Sequence, residues 1–431
     1  MRKLIVFAGL FLCSIAPVFA QITLKADGLA RIRYEYTDNN KDAGFTANDE
    51  KSYFRFKFSG GLRADYQDYA FAYLKITNES RAYIKNAGKS TDYKLNEFVI
   101  DNLYIGAKDF VENVDVKIGR FDLPPAQYGE GFLIGDGTPL DGSRTTYFNA
   151  AQVKYRYSEK SSVEFLGIYE TRYDNFPIIN PNDPRTALND SDETGLIVYF
   201  RIDPQTSWYF EPYYMYKHES YAPGGRLEDD INTFGSFAKF QANDFLTLRA
   251  QAAVQVANYD SDIHAAFGGY AFADFTIPKI LEPLSAGYVY LSGDNKNTLG
   301  AGGWNPLFSR YPQYSELVAN LYASERGSAY WTNLQMAKID LNFKPAKALK
   351  CLASYGVLFA NNTMNTNPNV LNQAMFGAGK MRGQLAIAKA SYTINKYLTA
   401  GALFEYFIPG DFYFSGAKNA SFARLEIIGK I

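Results

Sequence analysis

Extended segments in which apolar and polar side chains alternate run through almost the whole chain. Residues 54–58 alternate Phe with Arg and Lys, and residues 246–256 alternate Leu, Ala and Val mainly with Thr, Arg and Gln. A period of two is that of a β-strand, whose successive side chains point to opposite faces. Such a strand faces a core and water in a soluble sandwich, or lipid and a polar lumen in a membrane barrel, and alternation alone does not distinguish the two.

The links between these segments do distinguish the two architectures. Short links fall near residues 65–67, 108–113, 158–161, 203–205, 242–244, 278–283, 344–348 and 394–396. Most of the intervening links are long and polar, and they fall near residues 38–51, 78–95, 121–146, 171–193, 218–231, 293–330, 361–378 and 409–419. The link near Asp260 is an exception because it is short. Short turns at one rim and long loops at the other are typical of outer-membrane barrels, so the sequence predicts an all-β, transmembrane antiparallel barrel of about 18 strands.

The first twenty residues have the pattern of a signal peptide. Arg2 and Lys3 precede an apolar run over residues 4–15, which is too short to cross a bilayer as a helix. A small-x-small cleavage motif ends at Ala20, which predicts cleavage after that residue. An uncleaved membrane anchor is the alternative. Residues 21–431 are then expected to form one barrel domain. Cleavage leaves Cys351 as the remaining cysteine, which excludes an internal disulfide framework.

Charge and hydropathy narrow the class of protein further. The chain has 44 basic and 45 acidic side chains, and this balance argues against a nucleic-acid partner. Beyond the leader, no apolar run has the length of a membrane helix. A chain of this kind can span lipid only by closing its backbone hydrogen bonds between strands, in a ring. The alternation also places Tyr34, Tyr36, Phe54, Tyr155, Tyr157, Trp208 and Tyr406 on the outward face, where they suit interfacial girdles.

The same alternation assigns charged side chains to the inside of the barrel, because Arg or Lys on the lipid face costs about 2–4 kcal/mol at mid-depth. The predicted pore-lining bases are Arg31, Arg33, Arg55, Lys57, Arg63, Lys117, Lys154, Arg156, Arg201 and Arg249. The predicted pore-lining acids are Glu35, Asp101, Glu164 and Glu405. Either these groups pair with one another and hydrate the wall, or the bases form a cationic ladder that attracts anions.

The link over residues 121–146 differs from an ordinary solvated loop. It is rich in Gly and Pro, yet it carries Phe, Leu and Ile. We expect it to fold inward and constrict the pore. A rim loop packed on its neighbours is the alternative.

Several motifs of this region belong to a recognisable series. They are Ile-Gly-Arg at 118–120, Tyr-Gly-Glu-Gly at 128–131, Ile-Gly at 134–135, Leu-Asp-Gly-Ser-Arg at 140–144, Ser-Gly-Asp at 292–294, Trp-Asn-Pro-Leu-Phe at 304–308 and Glu-Tyr-Phe-Ile-Pro-Gly-Asp at 405–411. In this order the chain resembles the alginate export family of outer-membrane porins. The resemblance implies a monomeric 18-stranded barrel with an Arg-rich lumen that passes an anionic polysaccharide or related solutes. It also makes Arg120, Asp136, Asp141 and Arg144 the candidates for the pore constriction.

The sequence therefore predicts a porin in a Gram-negative outer membrane, a multi-pass barrel in contact with lipid that lets anionic solutes through passively. A broader porin with the same barrel is an alternative to an alginate channel. The pattern is also compatible with a structural or adhesive barrel that has a closed lumen and partner-binding loops, and with a soluble secreted protein that binds carbohydrate. An enzyme is not expected, because the two histidines, His218 and His264, show no spacing to a nucleophile. No cofactor or metal motif is found.

Overall fold

The computed structural model describes residues 22–47, 49–85, 97–135, 148–173, 189, 191–203, 207–221, 228–259, 262–276, 283–294, 303–310, 313–326, 331–367 and 372–431. The predicted signal peptide, residues 1–20, lies outside these ranges, as do Asp136, Asp141 and Arg144.

Strands dominate the described chain. They are β1 (Ile22–Asp38), β2 (Lys51–Tyr66), β3 (Ala70–Lys85), β4 (Glu97–Val111), β5 (Val114–Phe121), β6 (Ile134–Gly135), β7 (Phe148–Arg156), β8 (Ser162–Glu170), β9 (Glu193–Arg201), β10 (Trp208–Glu219), β11 (Asp229–Gln241), β12 (Leu246–Tyr259), β13 (Asp262–Phe275), β14 (Leu284–Leu291), β15 (Phe308–Ser309), β16 (Leu334–Ala346), β17 (Leu349–Phe359), β18 (Met381–Thr393), β19 (Leu398–Pro409) and β20 (Ala420–Lys430). The described helices are α1 (Glu316–Arg326) and three short 3-10 turns at Pro125–Gln127, Gly129–Gly131 and Gln373–Met375.

The strands close into a ring. Each long strand pairs antiparallel with its neighbours along the chain, and β1 pairs with both β2 and β20. At the closure, Arg33 lies opposite Arg55 on one side and Glu426 on the other. The result is an 18-stranded sheet, which confirms the predicted fold class. The two-residue strands β6 and β15 stand apart from this ring and pair with each other in parallel.

The two faces of the ring follow the alternation in the sequence. On β1, Arg31 and Arg33 are buried inside, whereas Ile32 between them is 46% exposed. On β20, Arg424 is buried inside and Leu425 is exposed outside. An apolar exterior around a charged interior is the arrangement that a bilayer requires of a closed sheet. Among the described helices, none is long and apolar enough to cross a membrane.

The short turns share one rim with both ends of the described chain, and their residues explain their tightness. In the turn between β11 and β12, the Asn243 side chain accepts hydrogen bonds from the backbone N–H groups of Phe245 (3.0 Å) and Leu246 (2.9 Å). Asn395 does the same for Tyr397 at 2.8 Å in the turn between β18 and β19. Asn side chains favour turns because they replace a backbone partner in this way.

Candidate functional site: a narrowed lumen

The link after β5 enters the barrel, where apolar side chains cover it. Leu123, Phe132, Leu133 and Ile134 are buried. Its strand β6 pairs with β15 from the link after β14, with Ile134 opposite Phe308. Residues 122–135 therefore lie inside the ring, and the remainder of this link falls outside the described ranges. Two inward links that pair with each other narrow the lumen.

Tyr128 fixes the first of these links to the barrel wall. Its hydroxyl donates to Glu164 at 2.7 Å and accepts from Gln152 at 2.9 Å, and its ring stands edge-on to that of Tyr199. Burial, together with the adjacent Glu164 carboxylate, raises the pKa of Tyr128 well above its usual value. The phenol therefore stays protonated and keeps donating to the carboxylate.

The second inward link is held to β10 and β12. The Lys217 ammonium on β10 donates to the carbonyl of Leu307 at 2.9 Å. The Gln255 side chain on β12 makes two hydrogen bonds to the backbone of Asn305. It accepts one from the N–H at 2.9 Å and donates one to the carbonyl at 2.6 Å. Trp304 is buried beside the first link, 5.1 Å from the Phe132 ring. These contacts fix the link as part of the interior.

The same link carries α1, which lies against β18, β19 and β20. The Glu405 carboxylate accepts from the Ser315 hydroxyl (2.5 Å) and from the N–H groups of Leu317 (2.8 Å) and Glu316 (3.2 Å), so it caps the helix N-terminus. Near the C-terminus, Arg382 donates to both oxygens of Glu325 at 2.7 and 3.1 Å. Arg424 pairs with Glu316. Glu405 was predicted to line the pore; it does face inward, but the helix covers it.

Most predicted pore-lining bases of β1 and β2 are neutralised by carboxylates. Arg55 donates to Glu35 at 2.9 Å and to Glu79 at 3.0 Å. Arg33 donates to Glu426 at 2.6 Å. Arg31 lies 4.0 Å from Glu79. The predicted acid Asp101 on β4 contacts Lys75 at 2.7 Å and Thr77 at 2.8 Å.

Towards the short-turn rim the lumen is more open, and the bases there are also paired. The side chains of Arg63, Lys154, Arg156, Arg201 and Arg249 are 20–35% exposed. Their carboxylate partners are Asp65 for Arg63, Glu164 for Lys154, Asp109 and Asp115 for Arg156, Glu164 and Glu211 for Arg201, and Glu130 and Asp274 for Arg249. These side chains are therefore more accessible to solvent than Arg31 and Arg33.

Two lumen bases differ from the others because they have no carboxylate partner in the described chain. The Lys57 side chain is only 8% exposed, yet no described carboxylate oxygen lies within 4.0 Å of its ammonium. The Lys117 ammonium lies 3.7 Å from the centroid of the Phe121 ring and 5.6 Å from that of Tyr104, again without a described acid in reach. Neither ammonium therefore forms an ion pair with an acid in the described part of the chain.

The constriction candidates divide into one described residue and three that are not described. Arg120 ends β5 where the inward link departs, is 4% exposed, and donates to Asn149 and to the Ile100 carbonyl, both at 3.0 Å. Arg120 therefore links β5 to β4 and β7 at the point where the inward link begins. Asp136, Asp141 and Arg144 lie outside the described residues.

Sequence reasoning missed the residues that attach the inward links. Lys217, Arg382 and Glu325 were not singled out, although they form buried ion pairs. For Lys217 a signal existed, since it alternates with Glu219 on one strand and is paired with it at 2.6 Å. The pairing of Arg382 with Glu325 depends on a helix within a long link, and no local pattern on β18 indicates it.

A closed ring with an apolar outside, a charged inside and inward-folded links defines a transmembrane β-barrel of the outer-membrane porin type. Comparison with protein-family models gave no match, and comparison with curated proteins gave none either.

Solved structures do match. The chain is similar to Pseudomonas aeruginosa OprD, with 10% identity, 95% of each chain covered and a TM-score of 0.58. It is also similar to P. aeruginosa OpdK with vanillate, with 12% identity, 94% of this chain and 98% of that chain covered, and a TM-score of 0.58. A third similar structure is P. aeruginosa OccK2 (OpdF) in complex with glucuronate, with 11% identity, 95% of this chain and 98% of that chain covered, and a TM-score of 0.56. These likenesses show the fold and agree with the expected multi-pass barrel of the outer membrane. They support an outer-membrane porin architecture and not the alginate export family in particular.

Proposed function

We propose that the protein is an outer-membrane channel through which small anionic solutes diffuse passively, with no cofactor and no catalytic step. The observation that carries the proposal is the pair of inward cations, Lys57 and Lys117, that lack a described carboxylate partner. Paired bases such as Arg55 contribute little net charge to the passage. An uncancelled cation in a narrow lumen with low-dielectric walls raises the local concentration of anions.

The solute class we propose is the small organic carboxylate. The inward links and α1 pack closely inside the ring, which suits a small solute better than a polymer. Two of the structural neighbours were solved with vanillate and with glucuronate, both of which are carboxylates. Transport of alginate or a related polysaccharide, which the sequence resemblance implies, is the second form of the same proposal. Uronate oligomers of increasing length distinguish the two forms, because only a polymer channel should bind long oligomers more tightly than the monomer.

The test is single-channel recording of the purified barrel in planar bilayers, with glucuronate as the blocker. Lys57→Gln and Lys117→Gln should each weaken block by about fivefold to tenfold, since each removes one uncancelled charge. Lys160→Gln, in the exposed short turn between β7 and β8, is the matched control and should leave block unchanged. Equal block in all four proteins would contradict the proposal.

A structural or adhesive barrel with a closed lumen is the second candidate, and the dense interior favours it. Phe132, Trp304, Phe308, Leu317 and Tyr322 are all buried within the ring. This candidate predicts that the purified barrel inserts into bilayers without giving a stable current. A reproducible current through the wild-type protein would exclude it.

A further inference from the structure

Two inward-facing glycines of the barrel wall lie directly against aromatic side chains of the second inward link. Gly195 on β9 lies against the Phe308 ring, and a Cβ at Gly195 would lie 2.3 Å from the edge of that ring. Gly268 on β13 lies against Trp304, and a Cβ there would lie 2.4 Å from the indole. Ordinary contacts of a Cβ begin at 3.4 Å, so neither position has room for a side chain. We call Gly195 and Gly268 the glycine sockets.

Buried neighbours hold the two rings in the glycine sockets. In the register of the sheet, Gly268 lies opposite Ala253 on β12 and Leu291 on β14, and both of these are buried. Phe308 and Trp304 are themselves 0% and 2% exposed. A ring that is enclosed in this way has no free space into which it can turn. A Cβ at the socket would therefore displace the link that carries the ring.

The second inward link is also joined to the first through its backbone. The Phe308 N–H donates to the Leu133 carbonyl and the Arg310 N–H donates to the Gly135 carbonyl, both at 2.9 Å. These hydrogen bonds belong to the parallel pairing of β6 with β15. A shift of Phe308 or Trp304 is therefore transmitted to both inward links.

The position of the sockets in the ring gives the direction of such a shift. Gly268 lies on β13, next to β12, and β12 lies half of the ring away from β2, the strand of Lys57. A Cβ at Gly268 would thus push Trp304 off the wall and towards the part of the lumen that Lys57 faces. The displacement needed to restore ordinary contact distances is about 1 Å. The width of the passage therefore depends on the absence of a side chain at the sockets.

We propose that Gly195 and Gly268 are positioning residues that set the size limit of the channel. They let the two inward links lie directly against the wall, and each acts through the aromatic ring that it contacts. This inference rests on the proposed function, since it concerns the width of the same passage, and it adds what determines the largest solute that can pass.

The test is single-channel recording of the purified full barrel in planar bilayers, in KCl, with polyethylene glycols of graded size added on both sides. Gly195→Ala and Gly268→Ala should each lower the conductance by about twofold, because the displaced ring narrows the passage. Each should also exclude glycols that the wild-type channel admits. The two variants change different strands, so either one tests the inference if the other does not assemble.

The matched control is Gly356→Ala, which changes another inward, buried glycine, on β17. A Cβ there would make only ordinary contacts at 3.6 Å, so the conductance and the size limit should stay as in the wild type. The double variant Gly195→Ala, Phe308→Leu should restore the wild-type size limit, because leucine lacks the ring edge that the new methyl group would meet. A general loss of stability would not be relieved in this way.

The outcomes separate this inference from the proposed function. Socket variants with the conductance and size limit of the wild type, or a Gly195→Ala defect that Phe308→Leu does not relieve, would overturn the role of the sockets and leave the channel itself standing. A wild-type barrel that passes no current would overturn both.

Discussion

Arg55 and Lys57 lie two positions apart on β2 and face the same lumen, yet their charges have different consequences. Arg55 is held between Glu35 at 2.9 Å and Glu79 at 3.0 Å, so two carboxylates offset its charge. Lys57 has no such described partner. A count of inward bases therefore overstates the field in the lumen, and we expect selectivity to depend on the bases that form no ion pair with a described acid. The sequence could assign both residues to the inside, but it could not show their pairing, because the partner Glu79 lies on another strand.

Gly129 allows the first inward link to lie against the wall. It has φ +48°, and a Cβ there would lie 2.6 Å from the Gln251 side chain. Gly129→Ala should lower the free energy of unfolding by about 1–3 kcal/mol, through backbone strain and the clash. The measurement is urea unfolding of the barrel in detergent micelles. Gly60→Ala is the control, since nothing lies within 4 Å of a Cβ there, and it should change stability by less than about 0.5 kcal/mol. Equal losses in both would contradict this role of Gly129.

At the scale of elements, α1 is the part of the fold that the sequence did not reveal. The periodicity of the strands and the alternating link lengths predicted the ring, because each strand carries its own two-sided pattern. The link at 292–333 shows no such pattern. Its helix is stabilised by partners on β18, β19 and β20 that only the closed ring brings near it.

The pairing of Arg382 with Glu325 should be costly to break from one side. Both groups are buried, so Arg382→Met leaves a carboxylate in the interior without its counter-ion. We expect a loss of about 3–5 kcal/mol in unfolding free energy, and a substantial recovery in the double variant Arg382→Met, Glu325→Met. Chemical denaturation of the single and double variants provides the comparison. A double variant as unstable as the single one would show that the ion pair is not the cause.

The N-terminal cap of α1 gives a functional readout of the same element. Glu405→Ala removes the acceptor shared by Ser315, Glu316 and Leu317, which should loosen the helix by about 0.5–2 kcal/mol. Because α1 occupies part of the lumen, we expect a larger and noisier single-channel conductance. Glu112→Ala, in the exposed turn between β4 and β5, should behave like wild type. A conductance that is unchanged in both variants would place α1 outside the conducting path.

At the scale of the whole molecule, the ring of strands and the inward links that fill it are specified by different features of the sequence. The ring follows from alternation, which separates an apolar outside from a charged inside along every strand. The filling follows from long-range contacts such as Ile134 with Phe308, which are invisible to local patterns. The motifs at 128–131 and 304–308 nevertheless marked the two links that meet inside. Their Tyr, Trp and Phe side chains are the ones that the interior buries.

We propose that water and anions cross this membrane protein through its own lumen, past Lys57 and Lys117, which form no ion pair with a described acid. The most direct test is the zero-current potential of the wild-type channel in a planar bilayer under a KCl gradient. We predict a potential of the sign that shows preference for chloride over potassium, shifting towards zero in the Lys57→Gln, Lys117→Gln double variant. A stable preference for potassium in the wild-type protein would contradict the account.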